Sequence, residues 1–221
     1  MKLALGTVQF GMPYGIANAK GQVTEADVSQ ILSKAFEVGI NTLDTAVAYG
    51  GSEQCLGNVG IDGWNVVTKI SEMPIDCESA AEWIKNQILL SLGKLGIDRI
   101  DSLMLHRPMQ LLAYRGRDLW QGLQSIKKQG LVKKIGYSIY TPSEMDLLWE
   151  DFQPDIIQAP YNILDQRLKE SGWMEKCHSN RVEVHVRSLF LQGLLLMSKQ
   201  NRPEPFDKWG LLWDKVDTWL M

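Results

Sequence analysis

The sequence predicts an α/β protein built as a TIM (β/α)₈-type barrel of parallel strands that lacks the eighth strand–helix unit. Short apolar or β-branched runs alternate with longer stretches whose apolar residues recur every three or four positions. This repeated strand–helix–strand order is typical of a parallel sheet with right-handed crossovers. Polar side chains also stand near the carboxyl ends of successive predicted strands. Together, these observations favour a barrel.

The predicted strands are apolar or β-branched runs at residues 2–8, 41–46, 65–70, 101–106, 134–139, 155–159 and 182–188. The segments between them have helical periodicity, at residues 24–38, 52–57, 78–95, 119–129, 143–151, 172–179 and 207–220. Thr24 and Ser52 are expected to act as N-caps, because a hydroxyl oxygen accepts a hydrogen bond from a first-turn amide. We expect residues 1–221 to form a single domain.

The polar residues at strand ends decide between two architectures. In an open doubly wound sheet the ligand site lies where the strand order reverses, whereas in a barrel every strand ends at one common mouth. An open sheet brings only neighbouring strand ends together, so a barrel is the better explanation for polar residues at so many of them. These residues are Asp44, Lys69, His106, Ser138, Gln158, and Arg187 with Ser188.

Composition excludes several classes of function. The 221 residues include 23 Lys and Arg against 26 Asp and Glu, so the charge of −3 gives no reason to expect nucleic acid or an anionic membrane as a partner. The three cysteines form no CxxC pair and the histidines form no HExxH motif, so we expect no bound metal. No apolar run has the length of a membrane span or of a signal-peptide core, which predicts a cytoplasmic protein.

Four of the polar residues suggest proton chemistry. Asp44 ends a strand, Tyr49 lies on the following loop, and Lys69 and His106 end the next two strands. A phenol has a pKa near ~10, and an adjacent ammonium group lowers it. We expect Lys69 to act in this way on Tyr49, Asp44 to pair with Lys69, and His106 to donate a hydrogen bond to a substrate oxygen. Taken singly, each residue also has an ordinary explanation as a cap, a surface charge or a loop contact.

The same residues lie within longer segments that resemble the aldo-keto reductase family. The resemblance is carried by residues 39–53, which include Asp44-Thr45-Ala46 and Tyr49-Gly50, and by residues 92–101 leading to His106. It extends to residues 5–7, 136–138, Gln158 and 187–195. The resemblance implies a (β/α)₈ barrel that binds NADPH in an extended form and reduces a small aldehyde or ketone.

The resemblance also implies roles for individual residues. Tyr49 would be the general acid that protonates the carbonyl oxygen, with Asp44 and Lys69 as the pair that lowers its pKa and His106 orienting the carbonyl. The residues implied for cofactor binding are Gly6 and Thr7 near the ribose and nicotinamide, Ser138 and Gln158 at the carboxamide, and Arg187, Ser188 and Gly193 beside the pyrophosphate. Arg107, Tyr140 and Trp173 either line a substrate pocket or only pack loops.

The sequence departs from the family pattern in two places. Ile139 follows Ser138 where many members carry an amide residue, and the eighth strand–helix unit, which carries the grip on the cofactor's 2′-phosphate, is not found. Three explanations stay open for the second departure. The sequence is a truncated product, another segment or subunit completes the barrel, or the first and seventh strands close a smaller or distorted ring. The oligomeric state is left undetermined.

Three functions are therefore compared. The first is an NADPH-dependent carbonyl reductase with Tyr49 as proton donor. The second is a non-catalytic barrel that has lost cofactor binding and acts as a binding or assembly module. The third is a lyase in which Lys69 forms a Schiff base. The spacing of Asp44 and Tyr49 favours the first.

Overall fold

The computed structural model describes residues 3–220 and contains one sheet of seven parallel strands in sequential order. The strands are β1 (Leu5–Gly6), β2 (Thr42–Asp44), β3 (Asn65–Ile70), β4 (Ile100–Leu105), β5 (Val132–Ser138), β6 (Ile156–Pro160) and β7 (Glu183–Arg187). Within residues 3–220 no pairing joins β1 to β7. The sheet is thus a curled half-barrel, and the prediction of a TIM-type barrel lacking one unit is confirmed.

The helices cover the outer face of the sheet. They are α1 (Val8–Gly11), α2 (Glu25–Glu37), α3 (Ser52–Val59), α4 (Ala80–Leu95), α5 (Gly116–Lys128), α6 (Pro142–Leu148), α7 (Arg167–Glu170), α8 (Trp173–Ser179) and α9 (Gly210–Leu220). Short 3₁₀ segments lie at Pro108–Leu112, Leu194–Leu196, Lys199–Asn201 and Glu204–Trp209. None of the helices described is long and apolar enough to cross a membrane.

Two predictions at the start of the chain need correction. The strand predicted at residues 2–8 is reduced to Leu5–Gly6, because Val8 already begins α1; Lys2 lies outside the described residues. Ser52 is the first residue of α3 and Gly51 is its N-cap. The Ser52 hydroxyl instead donates toward the carbonyl oxygen of Thr7 at 2.9 Å. By contrast, Thr24 caps α2 as predicted and accepts from the amide of Asp27.

Further differences concern helix ends. The structure starts α5 at Gly116, three residues before the predicted position 119, and ends α6 at Leu148 rather than at 151. Pro142 is the first residue of α6, where its fixed φ suits a helix start and its missing N–H costs nothing. The segment predicted as a helix from 207 becomes α-helical only at Gly210, after a 3₁₀ segment.

Strand alternation gives the sheet two different faces. Leu103, Leu105 and Tyr137 belong to the large cluster packed against the helices, whereas Val67, Met104 and Ile156 form a small apolar cluster of their own on the inner face. Because side chains two residues apart on a strand share a face, Lys69 and Gln158 lie on the inner side, one step beyond this small cluster toward the carboxyl ends. The inner apolar layer therefore forms the floor of a polar mouth.

Candidate active site

The mouth centres on the buried ammonium group of Lys69, whose side chain is 1 % exposed. Its Nζ lies 2.7 Å from Asp44 Oδ1, 3.0 Å from the carbonyl oxygen of Thr45 and 3.5 Å from the hydroxyl of Tyr49. The Tyr49 and His106 rings meet edge to face, with centroids 6.0 Å apart. The structure thus brings together all four residues predicted for catalysis.

The strands and turns explain why these side chains converge. Asp44 is the last residue of β2, Lys69 lies near the end of β3, and His106 directly follows β4. The Tyr49 amide donates to the carbonyl oxygen of Ala46, so a tight turn carries the phenol back over β3. Parallel strands end on the same edge of the sheet, and the curl of that edge brings the side chains into one site.

Burial raises the pKa of the Tyr49 phenol above its ordinary value of 10.0. Lys69 lowers this pKa through its charge and its hydrogen bond, and Asp44 raises it, but the loss of solvation is the largest effect. The expected effect of Lys69 on the phenol pKa is therefore confirmed, whereas the expectations that Asp44 also lowers this pKa and that it falls overall are wrong. Tyr49 consequently keeps its proton at neutral pH, which is the state that a proton donor needs.

The opposite direction applies to His106. Burial, followed by the charges of Lys69, Arg107 and Arg187, lowers the pKa of its imidazole to about 4. The ring is therefore neutral near pH 7. A neutral imidazole has one N–H donor, which is sufficient for a hydrogen bond to a carbonyl oxygen.

Ser138 and Gln158 were predicted to hold the nicotinamide carboxamide. Both are 2 % exposed at the base of the mouth. The Gln158 Nε2 donates to Asp44 Oδ1 at 3.0 Å, and the Ser138 hydroxyl donates to Gln158 Oε1 at 3.5 Å. In this structure the two side chains thus support Asp44, an arrangement that the sequence analysis did not foresee.

Gly6 and Thr7 lie at the end of β1, and they differ in what they present to the mouth. A Cβ placed on Gly6 would meet nothing within 4 Å, so open space adjoins it. Thr7 is fully buried, and its hydroxyl donates to the carbonyl oxygen of Asp44 at 3.0 Å. Its hydroxyl also lies 2.9 Å from that of Ser52, so Thr7 ties β1 to β2 and α3 instead of facing the open mouth.

The remaining predicted cofactor residues are Arg187, the last residue of β7, and Ser188 and Gly193 on the loop that follows it. The Arg187 Nη2 donates to the carbonyl oxygen of Ile139 at 3.0 Å, and its Nη1 lies 3.5 Å from the Ser188 hydroxyl. Ser188 has a φ of 59° and Gly193 a φ of 88°, both in the left-handed region. A Cβ on Gly193 would lie 2.5 Å from the Cβ of Ala17, so a side chain there would push apart two loops at the rim.

Two other outcomes concern residues away from the catalytic group. Trp173 packs in the outer layer against Trp149, with ring centroids 5.0 Å apart, and its Nε1 donates to Asp146, so it packs helices and does not line the mouth.

Glu53 was not assigned a role from the sequence. Its carboxylate is buried and accepts from the hydroxyls of Thr68 and Ser91 at 2.7 and 3.2 Å, which fixes α3 to the strand that carries Lys69 and to α4.

The residues present fit the nicotinamide end of a dinucleotide better than they fit a metal. Open space adjoins Gly6, buried polar groups lie at Ser138 and Gln158, and the guanidinium of Arg187 stands at the rim. Within residues 3–220, no group of three or more His, Cys, Asp and Glu side chains is placed to hold a metal ion.

Comparison with known proteins agrees with this geometry. The sequence profile described as "Aldo/keto reductase family" matches residues 2–213. The chain is 27% identical over 216 residues to the NADH-specific methylglyoxal reductase of Escherichia coli, covering 88% of this chain and 65% of that protein. It is 28% identical over 166 residues to Protein REDOX 2 of Catharanthus roseus, covering 65% and 51%.

Among solved structures, the holo form of aldo-keto reductase AKR11C1 from Bacillus halodurans superposes with a TM-score of 0.72 at 26% identity, covering 92% of this chain and 66% of that one. The chain spans about half to two thirds of the length of the two curated relatives named above. The profile match covers nearly the whole sequence. The four residues predicted for catalysis meet in the fold. The chain therefore belongs to the aldo/keto reductase family.

Proposed function

We propose that this protein is an NADPH-dependent oxidoreductase that reduces an aldehyde or ketone to an alcohol, with Tyr49 as the proton donor. The observation that carries the proposal is the buried chain of contacts from Asp44 through Lys69 to Tyr49, at 2.7 and 3.5 Å. The relatives support it, since one is named a methylglyoxal reductase. That relative is named NADH-specific, so the choice between NADPH and NADH belongs to the proposal.

The residues of the mouth divide the work between orientation and proton transfer. The reduced nicotinamide, when bound by these residues, would supply the hydride that the carbonyl carbon takes up. Tyr49 gives its proton to the carbonyl oxygen, so that the C=O bond becomes a CH–OH group and the phenol becomes a phenolate. The Lys69 ammonium, 3.5 Å away, stabilises that phenolate charge, while Asp44 holds Lys69 in place. Neutral His106 donates a hydrogen bond that orients the carbonyl.

The residues that would hold the cofactor are Gly6, Ser138, Gln158, Arg187, Ser188 and Gly193. Gln158 donates to Asp44 and accepts from Ser138, so contact with a carboxamide requires the two side chains to share or exchange these bonds. Thr7 is left out of this set because its hydroxyl already donates to the carbonyl oxygen of Asp44, so it supports the site from within the protein.

The contacts of Lys69 argue against the Schiff-base alternative. Its buried Nζ donates to both Asp44 and the carbonyl oxygen of Thr45, so attack on a substrate carbonyl carbon would require these two contacts to break. The non-catalytic alternative predicts that the protein does not bind the nucleotide. Titration with NADPH and with NADH, followed by nucleotide fluorescence, separates that alternative from the reductase.

The decisive variant is Tyr49→Phe, which removes one hydroxyl and keeps the ring. We expect kcat for methylglyoxal reduction to fall by about 10²- to 10⁴-fold, because general acid catalysis typically contributes that much. The measurement is the rate of NADPH oxidation, with the melting temperature as a check on folding. Tyr114→Phe is the matched control, since Tyr114 is fully exposed. Full turnover by a folded Tyr49→Phe variant would show that Tyr49 is not the proton donor.

A further inference from the structure

Two arginines share one tyrosine ring at the rim of the mouth. The guanidinium carbon of Arg187 lies 4.5 Å from the centroid of the Tyr140 ring, and that of Arg107 lies 5.4 Å from it. Tyr140 is 43 % exposed, so the ring and both cations are accessible from solvent. Contacts of this kind, between a cation and an aromatic face, hold a guanidinium in place without neutralising its charge.

All three residues belong to the site by their position on the sheet. Arg107 directly follows His106, Tyr140 lies two residues after β5, and Arg187 is the last residue of β7. Arg187 is further fixed by its donation to the carbonyl oxygen of Ile139 at 3.0 Å. The cluster therefore stands at the same edge of the sheet as Tyr49, and part of it is held rigidly.

Among the described residues, neither charge has a carboxylate paired directly with it, although Arg187 also acts through its charge on Asp165, whose pKa is lowered chiefly by the hydrogen bond from Arg167. In the part of the chain that the structure describes, neither guanidinium has a carboxylate oxygen within 4.0 Å. Arg117, Arg167 and Arg202 differ, since each pairs with an aspartate. After burial and Lys69, the charges of Arg107 and Arg187 each lower the pKa of the His106 imidazole. The mouth is thus electropositive on the side of His106.

We propose that Arg107 and Arg187, arranged around Tyr140, bind an anionic group of the carbonyl substrate, a carboxylate or a phosphate. Each guanidinium carries a positive charge that an anion bound at the mouth would neutralise. The planar guanidinium fork also matches the oxygens of a carboxylate or phosphate. The proposal rests on the proposed reductase function and names its substrate class: carbonyl compounds that carry a negative charge. Arg187 is also among the residues assigned above to the cofactor, whose phosphates have the same chemistry as the substrate's anionic group, so the test separates the two sources.

The test compares two aldehydes that differ mainly in charge, 4-formylbenzoate and its neutral methyl ester. For each protein we take the ratio of kcat/KM for the anion to kcat/KM for the ester. We expect Arg107→Gln to lower this ratio by about tenfold or more, because charge-assisted hydrogen bonds are worth that factor. The matched control is Arg117→Gln, which removes the same charge from the outer surface, where Arg117 is 76% exposed and pairs with Asp151.

The controls give this experiment outcomes that contradict the proposal. An equal fall of the ratio in both variants means that only the overall charge matters, which overturns it. An unchanged ratio together with weaker NADPH binding by Arg107→Gln assigns the arginines to the cofactor and also overturns it. A fall confined to Arg107→Gln, with the NADPH dissociation constant changed by less than about threefold, supports it.

If the protein reduces neither aldehyde, that outcome contradicts the proposed function but not the anion site. A second measurement then tests the anion site by itself. Calorimetric titration then compares benzoate with the neutral benzamide. Tighter binding of benzoate by the unmodified protein, lost in Arg107→Gln and kept in Arg117→Gln, supports the anion site. Equal binding of the two ligands by the unmodified protein overturns it.

Discussion

At the residue scale, burial controls which protons the site carries. Tyr49 and His106 are both largely removed from solvent, and burial disfavours the charged form of each side chain. The pKa of the phenol is therefore raised and that of the imidazole lowered, so both groups are neutral near pH 7. The Nζ of Lys69 donates to Asp44 and to the carbonyl oxygen of Thr45 beside these two rings. A neutral phenol and a neutral imidazole beside Lys69 form the arrangement that the proposed carbonyl reduction uses near pH 7.

The first prediction concerns the titration of His106. Since its pKa in the folded protein is about 4, against about 6.5 for an unfolded chain, the folded state binds fewer protons between these values. The free energy of unfolding should therefore decrease as pH falls from about 6.5 to about 4, and this contribution should be absent from His106→Gln. Proton NMR titration of the imidazole checks the pKa directly, with His106→Gln identifying the signal. A midpoint near 6.5 would contradict the electrostatic account of the site.

At the element scale, the position of Tyr49 depends on how closely α1 approaches the start of α3. The Gly51 amide donates to the carbonyl oxygen of Gly11 at 3.3 Å. A Cβ on Gly11 would lie 1.8 Å from the carbonyl oxygen of Tyr49 and 2.3 Å from the amide nitrogen of Ser52. These atoms are backbone and cannot move aside cheaply. Because Gly11 has no side chain, the backbone of residues 49–52 can lie against it, and this position of the turn presents the phenol of Tyr49.

The second prediction is that Gly11→Ala destabilises the protein by about 1–3 kcal/mol, the usual cost of overpacking, and lowers kcat by moving Tyr49. Gly93→Ala is the matched control, because Gly93 lies in α4 and a Cβ placed on it would meet nothing within 4 Å. The control should gain stability by up to about 1 kcal/mol from helix propensity. Chemical denaturation measures both. Equal free energies of unfolding for the two variants would mean that the close approach is not tight.

At the scale of the whole molecule, one hydrogen bond spans the inside of the barrel. Gln158 of β6 donates to Asp44 of β2 at 3.0 Å across 114 positions of sequence, although three strands separate β2 from β6 in the sheet. Such a contact is possible only because the sheet is curled. The bond therefore links the global shape of the sheet to the orientation of the carboxylate that holds Lys69.

The third prediction is that Gln158→Glu destabilises the protein in a pH-dependent way. The introduced carboxyl would face Asp44, and the repulsion between two carboxylates raises its pKa in the folded state above its unfolded value of about 4.3. The loss of stability relative to the unmodified protein should consequently grow as pH rises above about 4. Gln124→Glu, at an exposed position of α5 with no Asp or Glu within four positions along the helix, adds the same charge and is the control. A difference in unfolding free energy that stays constant from about pH 4 to about pH 8 would contradict this contact.

The strands were predictable because most of them are buried on both faces and read as continuous apolar runs, as in Val66-Val67 or Leu103-Met104-Leu105. The ends of elements were less predictable. Ser52 has the side chain of an N-cap, yet the approach of Thr7 gives its hydroxyl a partner outside the helix. A local sequence pattern around Ser52 could not predict Thr7 as its partner, because Thr7 lies 45 residues away in the chain.

The sequence by itself determined the order of strands and helices, the family, and the identity of the four residues that meet in the mouth. These depend on periodicity and on motifs that are local in the chain. Only the tertiary structure decided the net direction of the Tyr49 pKa, the engagement of Gln158 with Asp44, and the sharing of Tyr140 by two arginines. Burial and contacts between distant strands are set by the curl of the sheet, and a linear pattern of residue types does not encode them.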